Sequence, residues 1–232
     1  MDVLYCLGSG SKYNNKEIYH SIRLLQKYCS YDRLWIIGEK PDDVPLDTEY
    51  YYVPFTEKFS ATRNVFMKLV TMCQHTDISE DFLYMMDDIF LLKHIEPEKY
   101  PLYHSGEIRD YKMVNPYLGE VLETKKFLKR HNKPVLHYGV HCPIVYNKQN
   151  ILEIDSFYWK YVNSLDCKYG LNPRILYGNW FDHTNTKYTK DLKLTRDYPM
   201  PELKTLLKDK EWFSIGSKSY EGNIKQFIEE QK

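Results

Sequence analysis

The segment that most constrains this chain runs from Asp81 to Leu92, where two adjacent aspartates interrupt apolar sequence. Phe82 to Met86 reads as a buried strand, Asp87 and Asp88 close it, and Ile89 to Leu92 starts another apolar run. Two neighbouring carboxylates at the end of a buried strand repel each other and lose hydration together, so a cation or hydrogen-bond donors must offset them. The alternative is an ordinary acidic turn with both side chains in water, and the apolar flanks on either side count against it. In open α/β sheets the C-terminal ends of strands are where ligands bind. Hard divalent cations such as Mg²⁺ or Mn²⁺ take a few carboxylate oxygens and complete their shell with water and substrate phosphates, which suits a strand-end pair.

The preceding residues alternate strand and helix patterns, as βαβ units do. Val3 to Leu7 is an apolar strand that runs into the turn Gly8-Ser9-Gly10-Ser11. Glu17 to Tyr28 carries Ile18, Ile22, Leu25 and Tyr28 at helical spacing, and Leu34 to Gly38 is a second strand stopped at Lys40-Pro41. Tyr50 to Pro54 gives a third strand, and Ser60 stands where an N-cap belongs, before a helix whose inner face is Val65, Leu69, Val70 and Cys73. Beyond residue 95 the periodicity weakens. Val121 to Arg130 reads as a helix, His137 to Tyr146 as a strand, and Glu202 to Lys208 and Asn223 to Gln231 as helices. No repeat or low-complexity linker appears, so the 232 residues are expected to form a single α/β domain, a mixed, mainly parallel sheet flanked by helices.

Charge and cysteine usage narrow the class. Lys+Arg and Asp+Glu number 32 each, so the molecule lacks the bulk positive field that drives non-specific polyanion binding, although a local patch could serve. Cys6, Cys29, Cys73, Cys142 and Cys167 are odd in number and without CxxC spacing, which argues against a zinc knuckle or a disulfide framework and for buried thiols in a reducing compartment. With no secretory leader and no apolar run approaching ~20 residues, a cytoplasmic protein is expected. The 22 tyrosines supply rings that pack on one side and hydrogen-bond on the other, as pockets for sugars and bases require; biased codon use would produce the same excess.

The second half contributes two clusters. In a strand, His137, Gly139 and His141 share a face, so both imidazoles point one way with glycine making room between them. Such a pair can complete a metal site, orient a hydroxyl, or act as acid and base. Gly178 to His183 combines an amide, a carboxylate and an imidazole, with Asp182 a candidate catalytic base and Glu107, Asp110 and Asp155 its competitors. Trp212 to Ser219 reads as a strand and turn leading into the last helix, or as a segment folding back on phosphates.

The acidic strand, the opening Val3 to Ser11 segment, Ser21-Ile22-Arg23 and the Trp35 to Gly38 strand together resemble the type-A (GT-A) glycosyltransferases, and within them short phage and bacterial forms whose strand ends in an Asp-Asp-hydrophobic-Phe motif. The region around the acidic strand also looks like Stealth-type sugar-phosphate transferases. The resemblance covers residues 1–93 and is thin beyond them. It implies a GT-A-like fold in which residues 1–93 bind the nucleotide sugar and 94–232 the acceptor. It also implies a nucleoside-diphosphate sugar donor, a UDP-sugar foremost, and Mn²⁺ or Mg²⁺ at Asp87 and Asp88, with Asp88 the first choice as ligand and Asp87 on metal or donor ribose. Met86 stands where many relatives carry a polar or acidic residue, so the usual acidic-x-acidic spacing is absent.

By the same resemblance Leu7, Gly8, Ser9 and Gly10 cradle the nucleotide. Arg63, Asn64 and Lys68 would face the donor phosphates, the last two sharing a helix face. His141 resembles the histidine of an H-x-P motif and ranks above His137 as ligand or catalytic group. The acceptor is expected to be a modified pyrimidine in phage DNA, met in the host-cell cytoplasm, or a surface glycan. Lys125, Lys126, Lys129, Arg130 and Lys133 form a basic edge that could follow a phosphate backbone. Stealth-type sugar-phosphate transfer and a non-catalytic nucleotide-binding module are the competing readings.

Overall fold

Alternation along the first strand sets the layers. Leu4 and Cys6 point into one apolar cluster and Val3, Tyr5 and Leu7 into another, so the strand is buried on both faces and reads as a continuous apolar run. The structure, a computed structural model, describes all residues except Gly10, 42–47, Tyr111, Met113, Asp166, Ser217 and Lys232. In chain order its elements are β1 (Asp2–Leu7), α1 (Glu17–Tyr28), β2 (Leu34–Gly38), β3 (Tyr51–Pro54), α2 (Ala61–His75), β4 (Asp81–Met85) and β5 (Ile89–Leu91). There follow β6 (Leu102–His104), α3 (Pro116–Arg130), β7 (Ile144–Asn147), α4 (Lys148–Val162), α5 (Pro173–Trp180), β8 (Thr186–Tyr188), β9 (Lys193–Leu194), α6 (Met200–Leu207), β10 (Trp212–Ile215) and α7 (Gly222–Glu230).

The main sheet has the order β3-β2-β1-β4-β7. The first four strands are parallel and β7 closes the edge antiparallel to β4. Helices α2, α3, α4 and α5 supply apolar side chains to one face, including Phe66, Phe127, Tyr158 and Ile175. Ile18, Ile22 and Leu25 of α1 cover the other, together with Ile89 and Leu91 of β5 and Trp212 of β10. A second sheet, β5-β10-β9, packs with α6 and α7 around Phe90, Phe213, Leu203 and Phe227. Strand β8 pairs with β6.

One expected element differs. Residues 137–143 are irregular, and only Ile144–Asn147 joins the sheet. The His137 N–H goes to the Gly106 carbonyl and the His141 N–H to the Asp191 carboxylate, so the backbone groups a strand would use are taken by loops. Cys6, Cys29, Cys73, Cys142 and Cys167 are free thiols, all buried but the half-buried Cys167. Among the described residues no helix is long and apolar enough to cross a membrane.

Candidate active site

Strand β4 runs parallel to β1 with Tyr5 beside Met85, so continuing the register brings Asp87 alongside Leu7 at the C-terminal edge of the sheet. There the chain turns out of the main sheet and enters β5 of the second. The turn is held by the Ile89 N–H on the Met86 carbonyl at 3.1 Å and the Ile215 N–H on the Asp88 carbonyl at 3.1 Å. Asp87 and Asp88 are half-buried. Lys193 of β9 stands 3.5 Å from Asp88 Oδ2, while Asp88 Oδ1 is buried and has no hydrogen-bond partner among the described residues.

A third carboxylate adds its charge to the pair without joining it in a ligand set. Glu17 opens α1, and its Oε1 accepts from Ser11 Oγ at 2.7 Å, whereas its Oε2 is buried with no partner among the described residues. Ser21, one turn on, donates to the Ile89 carbonyl at 2.6 Å and fixes α1 against β5. Desolvation raises the Asp87 carboxyl well above the ordinary carboxylate range, and the charges of Asp88 and Glu17 push it further the same way. Buried carboxylate oxygens without donors, in mutual repulsion, fit a hard divalent cation whose other positions go to water or phosphate. This is at most a half-site: among the described residues no group of three or more His, Cys, Asp or Glu side chains is placed to hold a metal ion.

On the far side of Met86 lies a cavity of about 160 Å³, lined by α2, by Tyr84, Tyr117 and Tyr146, by Gly139 and His141, and by Arg174. His141 Nδ1 meets Asp191 Oδ2 at 2.8 Å while its N–H donates to Asp191 Oδ1 at 3.1 Å. Burial pushes the Asp191 carboxyl up, but the His141 ring, its backbone N–H and Lys193 outweigh that and hold it below its usual value. With Nδ1 on a carboxylate, Nε2 is the nitrogen left to accept a proton or a metal. Burial lowers the His137 imidazole below its ordinary value, and its Nδ1 lies 3.3 Å from Ser105 Oγ. A Cβ on Gly139 would come within 2.6 Å of the Tyr117 hydroxyl and 2.9 Å of His137 Cε1, so glycine here lets tyrosine and histidine close on one another.

The remaining expected residues are spread more widely. The Leu7 and Gly8 carbonyls accept from Lys68 Nζ at 2.5 Å and Asn15 Nδ2 at 3.3 Å, Ser9 is exposed, and Gly10 lies outside the described residues. Asn64 and Lys68 do share a helix face, but it points inward. Asn64 Oδ1 accepts the Lys58 and Phe59 N–H groups and its Nδ2 donates back to the Phe59 carbonyl; Lys68, 1% exposed, is paired with Glu57 at 2.6 Å. Arg63 donates to the Tyr169 carbonyl at 3.1 Å, toward α5. Asp182 is exposed and lines a cleft with Met1 and Asp81, at the N-terminal end of β4. Six residues at about 3.3 Å each put that end some 20 Å from the acidic turn, so the structure does not bring Asp182 to Asp87 and Asp88. Glu17, Asp191, Lys193 and Arg174 were not foreseen; they come from distant points of the chain and share no spacing with the motifs.

A mixed α/β domain with this strand order, an acidic turn at the joint between its main and second sheets and a cavity beside it has the GT-A-like, Rossmann-related fold. The galactosyltransferase LgtC, solved in complex with donor and acceptor sugar analogs, matches over 100% of this chain and 95% of its own, with a TM-score of 0.54 at 9% identity. A structure of an LgtC active-site mutant matches over 90% of this chain and 78% of its own, with a TM-score of 0.47 at 8% identity. No family model matches the sequence, and no curated protein matches it. The likeness is one of fold.

Proposed function

We propose that the chain is a metal-dependent glycosyltransferase that moves a sugar from a nucleoside-diphosphate sugar, a UDP-sugar foremost, to a hydroxyl of a glycan. The observation that carries this reading is the strand-end pair itself: Asp88 Oδ1 is buried without a donor among the described residues, and the Asp87 carboxylate beside it at the sheet edge is destabilised by burial and by the charges of Asp88 and Glu17. The GT-A-like fold supports it, since LgtC is a galactosyltransferase crystallised with donor and acceptor analogs.

In this reading Asp87 and Asp88 hold Mn²⁺ or Mg²⁺, with Glu17 behind them. The ion, when bound, supplies Lewis-acid neutralisation of the departing diphosphate. Leu7, Gly8 and Ser9 border the nucleotide at the end of β1. His141, its Nδ1 fixed by Asp191, receives the acceptor proton at Nε2, and His137 is its neutral neighbour. A glycan is preferred to DNA because the basic edge is partly spent within the chain. Lys125 pairs with Asp110 at 2.6 Å, Lys126 with Glu123 at 3.2 Å, and Lys133 donates to the Trp180 carbonyl at 2.7 Å.

The test is donor binding and turnover. Wild-type protein should gain thermal stability from a UDP-sugar plus Mn²⁺, as a ligand selective for the folded state must, and should hydrolyse or transfer the sugar. Asp88→Asn should lose both; full metal-dependent turnover in that variant would sink the proposal.

A further inference from the structure

Two of this chain's inward-pointing cations are paired with carboxylates. Lys68 has Glu57 at 2.6 Å, and Arg33 has Asp2 at 2.8 Å and Asp77 at 2.7 Å. Arg174 differs. It sits in the first turn of α5 and lines the cavity beside the acidic turn. Its Nη2 donates to the Cys142 carbonyl at 2.7 Å and touches Cys142 Sγ at 3.2 Å, while its Nε is buried with no partner among the described residues. None of the residues described as lining that cavity is acidic; Arg174 shares it with Tyr84, Tyr117, Tyr146 and Phe66. A guanidinium offers five donors in a plane and keeps its charge at every physiological pH. Set among aromatic rings, it loses hydration with no countercharge among the described lining residues to offset the loss.

Neutral hydroxyls could occupy the remaining donors but would leave the charge uncompensated, whereas a carboxylate or phosphate does both. The position matters as much as the charge. Met86, next to Asp87, forms part of the same wall, and the Tyr84 hydroxyl feels both Asp87 and Arg174, so the cavity opens beside the place where the reacting sugar would lie. A volume of about 160 Å³ is on the scale of one monosaccharide.

We infer that this cavity receives a sugar carrying a negative charge of its own, a carboxylate or phosphate, and that Arg174 selects it. The inference rests on the glycosyltransferase reading for which molecule brings the sugar, donor or acceptor, but the cavity's preference for an anion can be read independently of that.

Binding is measured by titration calorimetry on wild type, Arg174→Gln and Arg174→Lys, each first confirmed folded by circular dichroism. The donor arm compares UDP, UDP-glucose and UDP-glucuronate in Mn²⁺. The acceptor arm compares glucose, glucuronate and glucose 6-phosphate, with and without UDP. The expected result is at least a tenfold preference for the charged member in one arm. That preference should be lost in Arg174→Gln and partly kept in Arg174→Lys, with UDP affinity unchanged in both. A preference confined to the donor arm assigns the charged sugar to the donor, and one confined to the acceptor arm assigns it to the acceptor. Equal binding of charged and neutral sugars in both arms overturns the inference. So does an equal loss of UDP affinity in Arg174→Gln, which would place the arginine on the diphosphate. Failure of UDP to bind at all counts against the glycosyltransferase reading, while the nucleotide-free sugar arm still decides the anion preference.

Discussion

At Asp88 the two carboxylate oxygens have unlike surroundings, one 3.5 Å from Lys193 and the other buried with no donor among the described residues. Asp87 beside it is held against its charge by burial, Asp88 and Glu17. Removing one charge from such a group relieves repulsion, so Asp87→Asn is expected to stabilise the metal-free protein by about 1 kcal/mol while abolishing stabilisation by Mn²⁺. Thermal unfolding with and without the metal reads both effects, and a destabilised apoprotein would contradict the repulsion. His141 makes a separate test. His141→Gln should lower transfer on the order of 10²–10⁴-fold with UDP–Mn²⁺ affinity unchanged, because general-base catalysis contributes about that much. Asp191→Asn, which only positions the ring, should cost less and shift the pH–rate profile. A parallel fall in Mn²⁺ affinity in His141→Gln would make the histidine a metal ligand instead.

Among the elements, Gly38 shows how the sheet edge is built for close approach. At the end of β2 it holds φ +113°, and a Cβ there would lie 2.0 Å from the Leu7 carbonyl, the same oxygen that accepts from Lys68. Gly38→Ala is therefore expected to cost about 1–3 kcal/mol, visible as a lower urea midpoint. Much of this architecture was legible in the sequence. Strands β1, β2 and β4 are buried on both faces and stand out as apolar runs, and α1 keeps its helical spacing from Glu17 to Tyr28. The acidic pair was legible for the same reason, since two charges between apolar runs need an explanation. What stayed hidden depends on contacts between remote segments. His137 to Pro143 alternates like a strand, yet its backbone groups are claimed by Gly106 and Asp191. The i, i+4 spacing of Asn64 and Lys68 put them on one face without telling that the face turns inward, and Asp191 and Lys193 reach the site only through the fold.

Across the whole molecule, histidine burial gives folding an acid limit. Burial lowers the imidazoles of His104, His137 and His183 from an ordinary value of 6.5. The unfolded chain then binds more protons than the folded one below that value, so stability is present above about pH 6.5 and lost as the pH falls through it. Asp87 has the opposite sign. Its raised carboxyl adds stability in the carboxylate range that is lost as the pH rises through its folded-state value. Urea midpoints of the metal-free protein should drop between pH 7 and pH 5 if the histidines dominate, and His137→Gln should shallow that slope; an unchanged slope would remove His137 from the account.

The division expected from the sequence, residues 1–93 for donor and 94–232 for acceptor, is not one of construction, because β7 completes the sheet begun by β1 and β10 completes the one begun by β5. The Asp88 carbonyl waits for the Ile215 N–H, and its carboxylate for Lys193. During synthesis the acidic turn consequently cannot take its final shape until β10 has emerged, so a chain cut before Trp212 is expected to leave Asp87 and Asp88 without their fixed geometry.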